Sequence, residues 1–163
     1  MSIKDLIQIG MTFAGTLGFS MFFNIHGARV LMNAVGGTFG WIVYLLMYHH
    51  TGSLFQSYFV SAFVLALGCE FLARITKTPT TMMIVPMLFP AIPGGDLYNT
   101  IFNLFQGNFA LFSLYGMRLT IEIGALNLGI VLATTAVRIW MYDKRRRSHV
   151  AERQLKSNQT RWW

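Results

Sequence analysis

The sequence predicts an all-α integral membrane protein, and three observations predict it. Of its 163 residues, 54% are hydrophobic and only 12% are charged, about half the charge of an ordinary soluble domain. The apolar residues gather into about five runs near the ~20-residue length that crosses a ~30 Å hydrocarbon core. The net charge of +7 sits mostly at one end, where Lys144-Arg-Arg-Arg147 follows the last apolar run and Arg153, Lys156 and Arg161 come after it. The pattern divides the chain into a transmembrane domain, residues 1–142, and a basic cytoplasmic tail, residues 143–163. Anionic membrane lipids, and no nucleic acid, are the partners such a tail implies.

The first span runs from about Leu6 to Phe23, directly after Lys4 and Asp5, with no small-residue cleavage site behind a short apolar core. It therefore reads as a retained helix. Gly10, Gly15 and Gly18 give it small residues for close helix approach. The polar stretch Asn24-Ile-His-Gly-Ala-Arg29 ends it. A second span, about Val30 to Tyr48, carries Gly36, Gly37 and Gly40 at a spacing suited to backbone contact with a neighbour. Tyr44, Tyr48, His49 and His50 then mark an interface. The third, about Leu54 to Ala73, closes on Glu70, Arg74 and Lys77; the fourth runs from Thr80 to Phe105 and the fifth from Met117 to Tyr142.

With the tail inside, counting back through five spans places Arg29, Arg74 and Lys77 in the cytoplasm and leaves only Lys4 and Arg118 outside. That asymmetry follows the positive-inside rule and predicts an outside N-terminus.

The fourth span is predicted to be broken. All four prolines fall between Pro79 and Pro93, and each removes a backbone donor and clashes with the preceding turn. Thr80–Phe89 and Leu97–Phe105 would each cover about 15 Å as helix, which puts the break near the membrane midplane. Asp96, after Gly94 and Gly95, occupies the place of an N-cap for the second half-helix. Broken backbone at membrane depth persists only where it is buried in protein or lines a polar cavity. Two readings stay open, a kink that only fits neighbouring helices and a transport site.

Candidate substrate-binding residues are Pro86, Pro90, Pro93, Gly94, Gly95, Asp96 and Asn99. Intramembrane carboxylates are candidates for proton coupling, here Glu70 and Glu122, with His26 at the first interface as a third candidate. Arg74 four residues after Glu70 and Arg118 four before Glu122 offer each acid the alternative of a local ion pair. Asn24, Asn99, Asn103, Asn108 and Asn127 read as interhelical hydrogen-bonding groups. No enzyme signature is present. His49-His50 lacks the spacing of a helical zinc site, the Gly36–Gly40 segment has no Lys-Ser/Thr after it, and no serine is framed by glycines. A single cysteine, Cys69, excludes an internal disulfide and a cysteine metal site, so neither metal nor cofactor is expected.

Gly18-Phe-Ser-Met-Phe-Phe-Asn24, the glycine-bearing second span and Val85-Pro-Met-Leu-Phe-Pro-Ala-Ile-Pro-Gly-Gly95 resemble the bacterial threonine/serine exporter family. The likeness extends to about Tyr142 and is greatest to the family's short-subunit type, the C-terminal membrane half of the full-length exporter. It implies a secondary transporter in the bacterial inner membrane that exports a small carboxylate-bearing metabolite, threonine or serine in some members and succinate in others. It also implies a longer membrane subunit as partner. Proton-motive-force drive and association with further copies of the chain are expectations of the same reading. The rival is a non-transporting scaffold or assembly subunit that uses its glycines for packing alone.

Overall fold

A computed structural model describes the backbone of residues 3–159 and the side chains of residues 3–142. It is all-helical: α1 Ile3–Phe22, α2 Ala28–Thr51, α3 Leu54–Ile75, α4 Thr80–Leu88, a 3-10 turn Phe89–Ala91, α5 Gly94–Phe105 and α6 Phe109–Gln159. Three helical stretches are long and apolar enough to cross a membrane, Ala28–Thr51, Leu54–Ile75 and Phe109–Tyr142. The first and fourth of the five expected spans take other forms. The basic side chains from Lys144 onward lie outside the described residues.

Helix α1 has spanning length but a reversed pattern. Its buried residues are Asp5, Thr12, Thr16 and Ser20, spaced by seven, four and four residues and so on one face. Ile3, Leu6, Ile7, Met11 and Phe22 are exposed. Polar groups turned toward the neighbouring helices and apolar groups turned outward suit a helix surrounded by hydrocarbon. The buried face meets α2 antiparallel: Asn33 Nδ2 donates to Ser20 Oγ at 3.3 Å, and Asp5 lies 3.6 Å from His49 Nε2. The glycines of α1 play no part in this contact, because a Cβ added at Gly10, Gly15 or Gly18 would meet nothing within 4 Å. The close approach is made from α2, where a Cβ on Gly37 would lie 2.8 Å from Thr16 Oγ1 and one on Gly40 2.6 Å from Leu65. Gly40 also offers its carbonyl to Ser61 Oγ of α3 at 2.7 Å.

Gly52 turns α2 into α3. Its φ of 64° is left-handed, and its N–H reaches Tyr48 O, the glycine-terminated helix end that a side chain would strain. Helices α3 and α6 run parallel, since Tyr58 and Ala62 pack with Ala125 and Leu126, and a Cβ on Gly129 would sit 2.7 Å from the Phe59 carbonyl. Helix α4 runs back along α3. Met83 Sδ lies 3.9 Å from the hydroxyls of Thr76 and Thr78, Met87 Sδ lies 3.2 Å from Cys69 Sγ, and Ala91 joins Tyr58 and Ala62.

That path places the interruption. Pro86 is tolerated inside α4, buried with Met83 and Met87, so the first proline does not end the helix. The backbone leaves α-helix at Phe89, whose ring stacks on Phe19 of α1. It resumes at Gly94. Met87 is level with Leu65 and Cys69, midway along α3, whereas Pro93 and Asp96 lie beside Leu54 and Tyr58 in its first turns. Relative to α3 the interruption lies toward the α2–α3 turn, because α4 has already run back along most of α3 before the chain leaves helix. Beyond it α5 pairs with the start of α6, Gly116 against Thr100. Gly107, at φ 71°, makes the turn between them.

Candidate functional site

A largely polar cleft forms where the chain re-enters helix. Tyr48 and Gly52 come from the end of α2, Leu54 and Tyr58 from the start of α3, Pro93, Gly95 and Asp96 from the break, and Arg118 and Glu122 from α6. The enclosed volume is about 490 Å³, within the range of small-molecule sites.

Asp96 is not the N-cap of α5. That position belongs to Pro93, and no side-chain hydrogen bond caps the helix. Helix begins two residues before Asp96, which places it in the first turn and frees its carboxyl to face α6. There it lines the same cleft as Glu122, two carboxyl groups whose charges oppose each other. Two like charges at one site disfavour ionising both. Glu122 is 4% exposed, and its Oε2 is buried without a hydrogen-bond partner. Arg118, one turn earlier, lines the same cleft. Glu122 therefore shares this cleft with Asp96 as well as with Arg118.

Tyr58 is 6% exposed and lines the cleft, its ring 4.7 Å from that of Tyr44 behind it. Sequence reasoning missed Tyr58 as a site residue and read Tyr44 as an interface marker. The available signal was a tyrosine inside the third apolar run, where a hydroxyl demands a partner.

Of the predicted binding residues, Pro93, Gly95 and Asp96 come together here, joined by Glu122 from the coupling candidates. The others fall elsewhere. Pro86 is packed in the core, and Pro90 lines a separate groove with Gln8, Thr12 and Trp41. Gly94 adjoins the cleft without lining it. Asn99 donates from Nδ2 to the Gly95 carbonyl of its own helix at 2.9 Å. Glu70 forms the local ion pair with Arg74 at 3.4 Å. His26 lies at the opposite end of the bundle, its Nδ1 2.8 Å from Asn24 O.

The expected interhelical asparagines also behave differently. Asn103 and Asn127, like Asn99, donate to carbonyls four residues back in their own helices, and Asn108 accepts the Leu111 N–H at the start of α6. In these helices the i−4 carbonyl is closer than any neighbour. Asn33, which the sequence did not single out, makes the interhelical bond. Among the described residues no group of three or more His, Cys, Asp or Glu side chains is placed to hold a metal ion.

No curated protein and no solved structure gives a significant match to this chain. A family model described as threonine/serine exporter, ThrE, matches residues 8–136. That match takes in α1 to α5 and α6 past Glu122, and with them every residue of the cleft. A bundle of apolar helices whose exposed surface is largely hydrophobic agrees with a membrane transporter. The chain belongs to the threonine/serine exporter family.

Proposed function

We propose that this chain is one membrane half of a proton-driven secondary exporter for small carboxylate-bearing metabolites, of the threonine/serine or succinate kind, completed by a longer membrane subunit in the bacterial inner membrane. The observation that carries this reading is the cleft that Arg118 shares with the Asp96 and Glu122 carboxyls. Arg118 supplies a guanidinium to a substrate carboxylate. Asp96 and Glu122 hold the coupling proton between them. Losing it places two like charges in contact, a state that a substrate ammonium relieves, so proton and amino acid compete for one pair of acids. Gly95 keeps the entrance free of side chain beside Pro93, and Tyr58 offers a hydroxyl from the wall.

Proteoliposomes containing this chain and the longer subunit are expected to move labelled threonine, serine or succinate. Transport by the longer subunit alone would favour the scaffold reading. A Cβ at Gly94 or Gly95 meets nothing within 4 Å, so the double Gly94→Ala/Gly95→Ala variant should insert and fold normally while losing export. Normal export by that variant would overturn the proposal.

A further inference from the structure

A second cleft, of mixed polar and apolar lining, lies at the other end of the bundle. Phe23, Asn24, Ile25 and His26 from the α1–α2 turn, Arg29 and Asn33 from α2, and Thr78, Met82 and Met83 from the start of α4 enclose about 210 Å³. It shares no residue with the Asp96–Glu122 cleft. Asn33 and the Tyr48–Gly52 segment lie about 15 or more residues apart on α2, at least ~22 Å along its axis. Helix α4 starts at one cleft, and the chain that continues it reaches the other.

Two features single this cleft out. Asn33 is fully buried, its Nδ2 committed to Ser20 Oγ, and its Oδ1 has no hydrogen-bond partner. A buried unpaired acceptor costs about 1–3 kcal/mol, so it calls for a donor from whatever fills the space. The second feature is Arg29, an exposed guanidinium on the same cleft one turn before Asn33. Asn24 holds a left-handed φ of 58°, and His26 is folded back on its carbonyl, which fixes the turn that forms the rim.

We propose that this cleft is a second solute station, which takes a small carboxylic acid bearing an adjacent donor, an α-amino or α-hydroxy acid. The carboxylate binds Arg29 and the ammonium or hydroxyl donates to Asn33 Oδ1. A plain dicarboxylate satisfies the arginine and leaves the Asn33 acceptor unpaired, and sites built to hydrogen-bond a donor discriminate strongly against analogues that lack it. The solute is the amino acid among those named under the function proposed above, and the proposal rests on that reading for its biological role but not for its test. By the positive-charge asymmetry of the loops this station faces the cytoplasm, where an exporter loads.

The test uses the full chain in lipid nanodiscs with Met82→Cys at the cleft, labelled by a maleimide. Cys69 is buried and serves as the silent background. L-Threonine and L-lactate are expected to slow labelling at least fivefold at millimolar concentration, with succinate and acetate without effect. Arg29→Gln, at an exposed position, and Asn33→Leu are each expected to remove protection by threonine. Glu122→Gln, in the far cleft, is expected to leave it intact. Absence of protection by threonine, equal protection by succinate, or protection that survives Arg29→Gln would each overturn the proposal. Normal export in Glu122→Gln would overturn the other cleft's role and leave this result standing, so the two failures are distinguishable.

Discussion

Asp96 and Glu122, twenty-six residues apart in sequence, line one cleft at the α5–α6 interface. One side chain comes from the first turn of a helix that restarts after Pro93 and the other from the interior of an unbroken helix. They meet because α5 and α6 run antiparallel with Thr100 against Gly116, which brings the start of α5 level with Glu122.

If the two acids hold one proton between them, they act as a unit. Glu122→Gln and Asp96→Asn should each lower export at least tenfold, a loss of about 1.4 kcal/mol of transition-state stabilisation. The double variant should be no worse than the poorer single, because groups that act together are non-additive when removed. Initial rates of efflux from proteoliposomes, normalised to inserted protein, measure this. Additive losses would show that the acids work separately.

Gly129→Ala should weaken the contact of α3 with α6. The added Cβ would stand 2.7 Å from the Phe59 carbonyl, 2.9 Å from Ala62 Cβ and 3.0 Å from Phe63 N, and neither backbone atom moves without moving its helix. A destabilisation of about 1–3 kcal/mol is expected, as for overpacking. Gly124→Ala, where a Cβ meets nothing within 4 Å, is the control and should be neutral. Thermal unfolding midpoints in detergent compare the two.

Ser61→Ala removes the bond from Ser61 Oγ to the Gly40 carbonyl, 2.7 Å long and buried between α2 and α3. Interhelical hydrogen bonds inside membranes contribute about 0.6 kcal/mol on average and up to about 1.7. A loss in that range, with export unaffected, is expected from the midpoint of unfolding in SDS.

Cys69 is fully buried against Met87. In the folded chain it should resist maleimide, since a thiol must be accessible to react. It should label fully once SDS opens the bundle. Rapid labelling without denaturant would mean that the α3–α4 contact is absent in the membrane.

Much of the architecture was legible in the sequence. Apolar runs gave α2 and α3 within a few residues, while α6 starts at Phe109, eight residues before the expected Met117; the proline cluster coincides with the end of α4, although Pro86 is accommodated within that helix and α5 begins at Gly94 rather than Leu97. Helix α1 was legible as a helix but not as a reversed one. Its buried threonines and serine acquire meaning only against the face of α2 that they meet, and its glycines proved to face outward.

By itself, then, the sequence determined what the local chain can do: which segments form helix, where proline and glycine residues gather, and in which stretch of the chain the charge accumulates. Those properties depend on near neighbours, on the missing proline donor and on the transfer of apolar side chains from water. Only the tertiary structure decided which polar groups share a space. Asp96 becomes a partner of Glu122 instead of a cap, Glu70 is satisfied by Arg74, and Asn33 is left with an open acceptor. Each outcome follows from the depth and rotation of one helix against another, and a long-range contact of that kind is written in no single segment.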